Sequence, residues 1–293
     1  MPGLEFNNLL SSLVGLNVMA RKRVLNSLES YKRSLKNGYG LGGGADYKPW
    51  VRVQDVNSHG ASAKVWGVKT RREHHLLSEI ETSFFYQAEF CDSVVDIREQ
   101  FPLLPLNLSE SIASHLGVVH PKVPRTKVPN VMTTDFLLTR MVGGEKVYEA
   151  ISVKPFDMLR NNRTCEKLDL EKCWWDALGV DFYIFCGSEE DSIRAKNIEW
   201  ATHPIRYGFD CEGIDLIDVL SSLSPGVFSI SHLCDLVGNA LSLPPESLLY
   251  IVRYLVGAKL IEINLDCPLQ ETGLIEILSV NGVPERGEIN GVA

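Results

Sequence analysis

Two apolar stretches joined by Gly143-Gly144 carry residues that can act on a phosphodiester. Asp135 lies near the start of the first, TTDFLLTRMV, and Lys154 lies at the end of the second, YEAISVKP. A carboxylate can bind magnesium, and a lysine near a phosphate can orient or deprotonate an attacking water and offset developing charge. The pair is therefore a candidate hydrolytic centre, although an aspartate and a lysine on neighbouring strands are also a common surface pair.

Strand alternation decides which residues can share a face with the lysine. In a strand, Ser152 and Lys154 point to one face, while Glu149 and Val153 point to the other. Asp135 can share the lysine's face, but the sequence does not fix the register of the two strands. Metal-dependent nucleases with this pattern carry a carboxylate or carboxamide two residues before the lysine, where this chain has Ser152. Glu149 cannot substitute without a bulge.

A helix ahead of this hairpin supplies a third candidate. The segment 74–90, HHLLSEIETSFFYQAEF, places its apolar residues on one side of a helix, with Ser78 as the predicted cap. Glu81 lies at the edge of that apolar stripe, where a nuclease would place an additional metal carboxylate. His74 and His75 are predicted to start the helix and not to form a metal pair, because adjacent helical residues diverge by about 100°.

The elements around these residues predict an α/β fold. A strand from Val94, a short helix over 109–117, a hairpin over 131–154, a helix over 166–178 and a buried strand over 181–186 follow in order. This order indicates a mixed sheet flanked by helices. Three further helices, over 214–223, 231–241 and 245–256, precede two apolar strands, and this is the order of a winged helix.

The charge is unevenly distributed along a chain whose net charge is -8. Residues 1–75 hold 12 Lys/Arg against 5 Asp/Glu, whereas residues 204–293 hold 4 against 12. A polyanion would therefore bind near the amino terminus. The candidate contacts are Arg21, Lys22, Arg23, Lys32, Arg33 and Lys48, with the solvated face of an amphipathic helix as the simpler explanation.

The sequence divides into three predicted regions. Residues 1–44 form a basic helical segment ending in the Gly-rich stretch 38–44, which we interpret as a flexible linker because no strand precedes it as a dinucleotide loop requires. Residues 45–203 form the catalytic domain and 204–293 the winged-helix-like domain. No long apolar run or signal peptide appears, so we expect no membrane association and a cytoplasmic location.

Several ordered motifs together resemble the TnsA family, the endonuclease subunits of heteromeric transposases of the Tn-seven type. They include DYKPW, HHLLSEIE, DIREQFPLLP, MTTDF, ISVKP, EKLDLEKCWW and NIEW. The resemblance covers roughly residues 45–200. It implies a restriction-endonuclease-like catalytic domain with a centre that binds two Mg²⁺ ions, for which Mn²⁺ can substitute.

Carried over by position, the resemblance implies catalytic roles for Glu81, Asp135 and Lys154. Members of the family can have glutamine where Ser152 stands, and a hydroxyl is a weaker, shorter-reaching ligand than a carboxamide. Ser152 itself, or the backbone carbonyl of Val153, would then complete a metal shell formed by Glu81 and Asp135.

The resemblance also implies partners. TnsA cuts DNA at the 5′ ends of the transposon, while the transposase TnsB cuts and joins the 3′ ends. The carboxy-terminal domain of TnsA contacts the ATP-dependent regulator TnsC, and the acidity of residues 204–293 independently favours a protein over DNA there.

Two other functions stay open at this point. A catalytically inert subunit that recruits the other components is suggested by Ser152 and the acidic tail. A stand-alone restriction enzyme would instead cut plain duplex DNA without partners.

Overall fold

The computed structural model describes residues 22–56, 61–209, 211, 214–241 and 244–282 of a mixed α/β chain. The amino-terminal part contains α1 (Leu28–Lys36), β1 (Ala63–Trp66), β2 (Glu73–Leu76), α2 (Glu79–Phe90), β3 (Val94–Pro102), α3 (Leu106–Leu116), β4 (Thr133–Val142), β5 (Glu145–Val153), α4 (Asn162–Asp176), β6 (Asp181–Phe185) and α5 (Glu189–Arg206). The carboxy-terminal part contains α6 (Leu216–Ser222), β7 (Gly226–Ser229), α7 (Ile230–Ala240), α8 (Pro245–Gly257), β8 (Ile261–Ile263), α9 (Leu269–Thr272) and β9 (Leu274–Val280).

A mixed sheet lies at the centre of the amino-terminal part. Within the described residues its strand order is β3-β4-β5-β6, with β4 antiparallel to both β3 and β5, and β6 parallel to β5. Gly143 and Gly144 both have positive φ, 60° and 85°, as a tight hairpin turn requires. The predicted hairpin and the mixed sheet are confirmed.

Helices cover both faces of this sheet. Phe136 and Leu138 of β4 pack with α2 and α5 in one apolar cluster. Leu137 of β4 and Ala150 of β5 face the other way, where they pack with α3 and α4. Because Asp135 alternates with Phe136, it lies on the face covered by α4.

The segment predicted as one helix over 74–90 is divided in the structure. Residues Glu73–Leu76 form β2, and α2 begins only after Ser78, whose hydroxyl oxygen accepts a hydrogen bond from the Glu81 amide. His74 is fully buried and its Nδ1 lies 2.8 Å from Oε2 of Glu99. The cap prediction is confirmed, but the prediction that His74 and His75 start a helix is wrong. Pairing with β1 and a buried carboxylate partner outweighed the local pattern.

The glycine-rich stretch is an ordered loop and not the flexible linker that we predicted. The Gly40 amide donates to the Lys48 carbonyl at 2.6 Å, and Gly40 has a φ of 76°. A Cβ added to Gly40 would lie 2.5 Å from Cγ of Pro102, so the loop packs tightly against the end of β3. Helix α1, which precedes this loop, is also packed against the rest of the chain, because Tyr31 of α1 contacts Trp50.

The carboxy-terminal part contains the three predicted helices and the two predicted strands. The short strand β7 was missed, and it pairs with β9 in a sheet of order β7-β9-β8. Earlier in the chain, β6 is an edge strand with Tyr183 and Ile184 exposed, so the prediction of a buried strand there is wrong. The winged-helix assignment stays a prediction.

Helix α5 contributes to both parts of the chain. Ala195 and Ile198 pack into the core beneath the central sheet, and Ala201 packs into the carboxy-terminal core. The predicted boundary at 203/204 therefore falls inside this helix, which continues to Arg206. Among the described residues, no helix has both the length and the apolar character needed to span a bilayer.

We expect Gly40→Ala to destabilise the protein more than Gly44→Ala, a control in the same loop. Both positions have positive φ, which costs an L-residue about 1–2 kcal/mol. Only at Gly40 does the new methyl group meet the rigid Pro102 ring, whereas nothing lies within 4 Å at Gly44. Chemical denaturation should show an additional loss of about 1 kcal/mol or more for Gly40→Ala. Equal losses would contradict the packed loop.

Candidate active site

The Asp135 carboxylate is the point at which the predicted site residues meet. Its Oδ2 accepts hydrogen bonds from the Val153 amide at 2.7 Å and from the Lys154 ammonium at 2.6 Å. The Ser152 hydroxyl donates to the same oxygen at 3.4 Å. The structure thus fixes the register that the sequence left open, and it places Asp135, Ser152 and Lys154 together at one end of the β4–β5 hairpin.

Lys154 is a partly buried cation held beside this carboxylate. Burial lowers the pKa of Lys154, but the neighbouring Asp135 carboxylate more than offsets that effect and raises the pKa above its ordinary value. Its ammonium also donates to the Val153 carbonyl at 2.7 Å. In this arrangement Lys154 is a hydrogen-bond donor and a fixed positive charge, so it is suited to orienting a water or a phosphate oxygen.

Glu81 reaches the same site from the start of α2. Its carboxylate turns back over the helix amino terminus, accepting from the Leu77 amide at 2.9 Å and the Ser78 hydroxyl at 3.0 Å. Burial, followed by repulsion from Asp135, raises the pKa of Glu81 to about 7. Two carboxylates that repel each other in a buried site indicate a place where a cation would be stabilised.

Glu171 is a further carboxylate that the sequence analysis missed. It lies on the buried side of α4, and burial together with the negative charge of Asp135 raises its pKa to about 8. Its Oε1 is buried without a hydrogen-bond partner. A signal was available in the sequence, because Glu171 occupies an apolar-face position of a helix between Leu168 and Trp174.

Gln100 of β3 was also missed, and it holds the other oxygen of the aspartate. Its side chain is buried, and Nε2 lies 3.3 Å from Oδ1 of Asp135. The Thr133 hydroxyl donates to Oε1 of Gln100 at 2.9 Å, which fixes the amide so that its NH₂ group faces the carboxylate. Gln100 has a φ of 49°, a conformation that costs a non-glycine residue about 1–3 kcal/mol.

Ser152 and Val153, which were predicted to complete the metal shell, both make hydrogen bonds within the site. Ser152 is buried and its hydroxyl is turned to Asp135, so it supports the carboxylate. The Val153 carbonyl accepts a hydrogen bond from the Lys154 ammonium, and the Val153 amide donates one to the Asp135 carboxylate. Metal ligation by either residue stays a prediction.

The donor set suits a divalent cation with oxygen ligands. The raised pKa values of Glu81 and Glu171 and the orphaned Glu171 oxygen show that negative charge is crowded around Asp135. Within the described part of the chain, no group of three or more His, Cys, Asp or Glu side chains is already arranged around one point. Glu81 and Asp135 are the predicted ligands, and metal binding by them stays a prediction.

The predicted DNA contacts lie in several environments. The Arg23 guanidinium bonds to Asp55 at 2.6 Å and lies 3.5 Å from the centre of the Tyr39 ring, so Arg23 stabilises the fold. Lys32 and Arg33 are exposed on α1, and exposed Lys48 donates to the Asn37 carbonyl. Lys22 is exposed, and Arg21 lies outside the described residues. DNA contact by these residues stays a prediction.

We expect Glu171→Gln to become more stable relative to the wild-type chain as pH rises. A carboxyl whose pKa is raised on folding contributes stability that is present below its unfolded value, 4.5, and lost as pH rises through about 8. The glutamine amide of the variant does not titrate, so the variant loses no stability in this way. In metal-free buffer, the difference in unfolding free energy between the variant and the wild type should therefore grow by about 1–4 kcal/mol between about pH 5 and about pH 8.5. Asp169→Asn, at an exposed position of the same helix, is the matched control. A difference for Glu171→Gln as flat as the control's would contradict the buried-charge assignment.

Comparison with known proteins identifies the family of the chain. The family model described as TnsA-like endonuclease N terminal matches residues 91–187, which include Asp135, Lys154 and Glu171. The Escherichia coli protein named transposon Tn7 transposition protein TnsA is 37% identical over 241 residues, covering 80% of this chain and 85% of the relative. The chain belongs to the TnsA family.

Proposed function

We propose that the chain is a metal-dependent DNA endonuclease that hydrolyses the phosphodiester at the 5′ ends of a transposon within a cut-and-paste transposase. The observation that carries the proposal is the convergence of Glu81 and Asp135 beside the Lys154 ammonium. The relationship to TnsA supports the reaction class and the transposition context.

The side chains of the site would have different roles in such a hydrolysis. Glu81 and Asp135 would hold Mg²⁺, which would polarise the scissile phosphate and stabilise the charge that develops on its oxygens. Lys154, kept protonated by Asp135, would hold a phosphate oxygen or the attacking water by donating a hydrogen bond. Gln100 and the Val153 amide orient Asp135 from its two oxygens.

The assembly partners are also part of the proposal. A transposase corresponding to TnsB would cut and join the 3′ ends, and a regulator corresponding to TnsC would bind the carboxy-terminal part. That part has few cations for DNA phosphates, since residues 204–293 hold 4 Lys/Arg against 12 Asp/Glu. The order of α6, β7, α7, α8, β8 and β9, with the short helix α9 between the last two strands, supports its winged-helix-like character.

Replacing the central carboxylate tests the nuclease directly. With partner subunits and donor DNA present, Asp135→Ala should lose at least about a hundredfold in 5′-strand cleavage, because a metal contact worth several kcal/mol disappears. Joining of the 3′ ends should continue and produce cointegrates. Asp181→Ala, which removes an exposed aspartate at the start of β6, should cleave as the wild type does. Normal 5′ cleavage by Asp135→Ala would exclude this site.

The alternative, an inert assembly subunit, is favoured by the Ser152 hydroxyl in place of a carboxamide and by the acidity of residues 204–293. Metal binding separates the two functions. Calorimetric titration with Mn²⁺ should show binding to the wild-type chain and a loss of about tenfold or more in affinity for Asp135→Ala. Identical titrations for the two proteins, in the presence of DNA as well as in its absence, would favour the inert subunit.

A further inference from the structure

A basic hairpin loop leads into the strand that carries Asp135. The loop, which we call the 121–130 hairpin, is closed by hydrogen bonds from the Val123 amide to the Val128 carbonyl at 2.9 Å and from the Asn130 amide to the Pro121 carbonyl at 2.8 Å. Only two residues separate its end from the start of β4. Its position is therefore tied to the strand that holds the central carboxylate.

The 121–130 hairpin carries exposed cationic side chains without a partner in the described structure. Lys122, Arg125 and Lys127 are exposed, and no hydrogen bond or ion pair engages their side chains in the described structure. From residue 111 to residue 134 the sequence contains no Asp or Glu. By contrast, Arg23, Arg72 and Arg206 are each held by an internal carboxylate. Free cations grouped on one short loop are available to bind an anion.

Contacts connect this loop to segments that lead to the candidate active site. On one side, Tyr31 donates to the Pro129 carbonyl and packs on Trp50, whose amide donates to the carbonyl of Gln100. Gln100 in turn contacts Asp135. On the other side, the Arg163 guanidinium at the start of α4 donates at 2.6 Å to the carbonyl of Val119, two residues ahead of the hairpin. The 121–130 hairpin is thus tied to the Gln100 side through Pro129, and the segment that enters it is tied to α4.

The opposite side of the site is acidic. Strand β6, at the far edge of the sheet from β3, leads into the first turn of α5, which contains Glu189 and Glu190, both exposed. Glu79 at the start of α2 is exposed on the same side, where Gly187 approaches Ile80. A polyanion approaching Asp135 is therefore repelled from the β6 side and attracted to the side of the hairpin.

We propose that the 121–130 hairpin is a DNA-binding element that holds the phosphate backbone of a duplex next to the active site through Lys122, Arg125 and Lys127. The inference rests on the proposed function in taking duplex DNA as the ligand. It differs from the expectation drawn from the sequence, which placed DNA contact on the basic amino-terminal region. The contacts are to phosphates, so they add affinity without selecting a base sequence.

The test compares two triple variants of the full chain. Lys122→Ala/Arg125→Ala/Lys127→Ala removes the hairpin cations, and Lys32→Ala/Arg33→Ala/Lys36→Ala removes three exposed cations from α1. Fluorescence anisotropy with a short labelled duplex in EDTA, over a series of salt concentrations, measures affinity without cleavage. Both variants change the net charge equally, so a general charge effect would reduce affinity equally in both.

We expect the hairpin variant to bind at least about tenfold more weakly, with the slope of log affinity against log salt reduced by about 2–3 because about three phosphate contacts are lost. The α1 variant should keep most of the wild-type affinity and slope. Equal losses in the two variants, a larger loss in the α1 variant, or no binding by the wild-type chain at low salt would overturn the proposal. Unchanged circular dichroism and melting temperature verify folding of each variant.

The same proteins distinguish this inference from the proposed function. If the wild type binds through the hairpin but never cuts with partners and Mg²⁺, the nuclease proposal fails and the hairpin assignment stands. If cutting occurs and the hairpin variant binds DNA as well as the wild type does, the nuclease stands and the hairpin assignment fails.

Discussion

The hydrogen bond from the Val153 amide to the Asp135 carboxylate is the contact on which the site depends. It joins the end of β5 to the start of β4, and it turns the backbone of one strand into a fixed donor for the side chain of the next. Lys154 follows immediately along the chain, so the register that makes this bond also brings the ammonium to the same oxygen. Gln100 holds the other oxygen from β3. Three adjacent strands thus fix one carboxylate.

This arrangement concentrates negative charge where water is scarce. Asp135 repels both Glu81 and Glu171, whose pKa values rise to about 7 and about 8 because burial and a neighbouring carboxylate disfavour ionisation. Lys154 compensates only part of that charge. A fold that keeps such groups together carries a cost in stability, and sites in which strain is retained are commonly functional. The left-handed backbone of Gln100 is a second such cost at the same place.

The sequence predicted the fold where local patterns and tertiary contacts agreed. Alternation and the Gly143-Gly144 turn identified the hairpin, and the order of elements identified the mixed sheet. It failed at His74, where pairing with β1 and a buried Glu99 replaced a helical pattern, and at Gly40, where packing against Pro102 ordered a stretch of glycines. Those contacts come from distant parts of the chain, which periodicity cannot detect.

The site shows the same division between local and distant information. Asp135 and Lys154 lie on one hairpin, so strand alternation was enough to suggest their pairing. Gln100 and Glu171 reach the carboxylate from elements that precede and follow the hairpin, and only the packed sheet and α4 bring them there. Charge along the chain likewise indicated a basic amino-terminal region, whereas the fold assigns Arg23 to an internal ion pair. The position of a cation in the fold, and not its position in the sequence, therefore decides whether it is available to a phosphate.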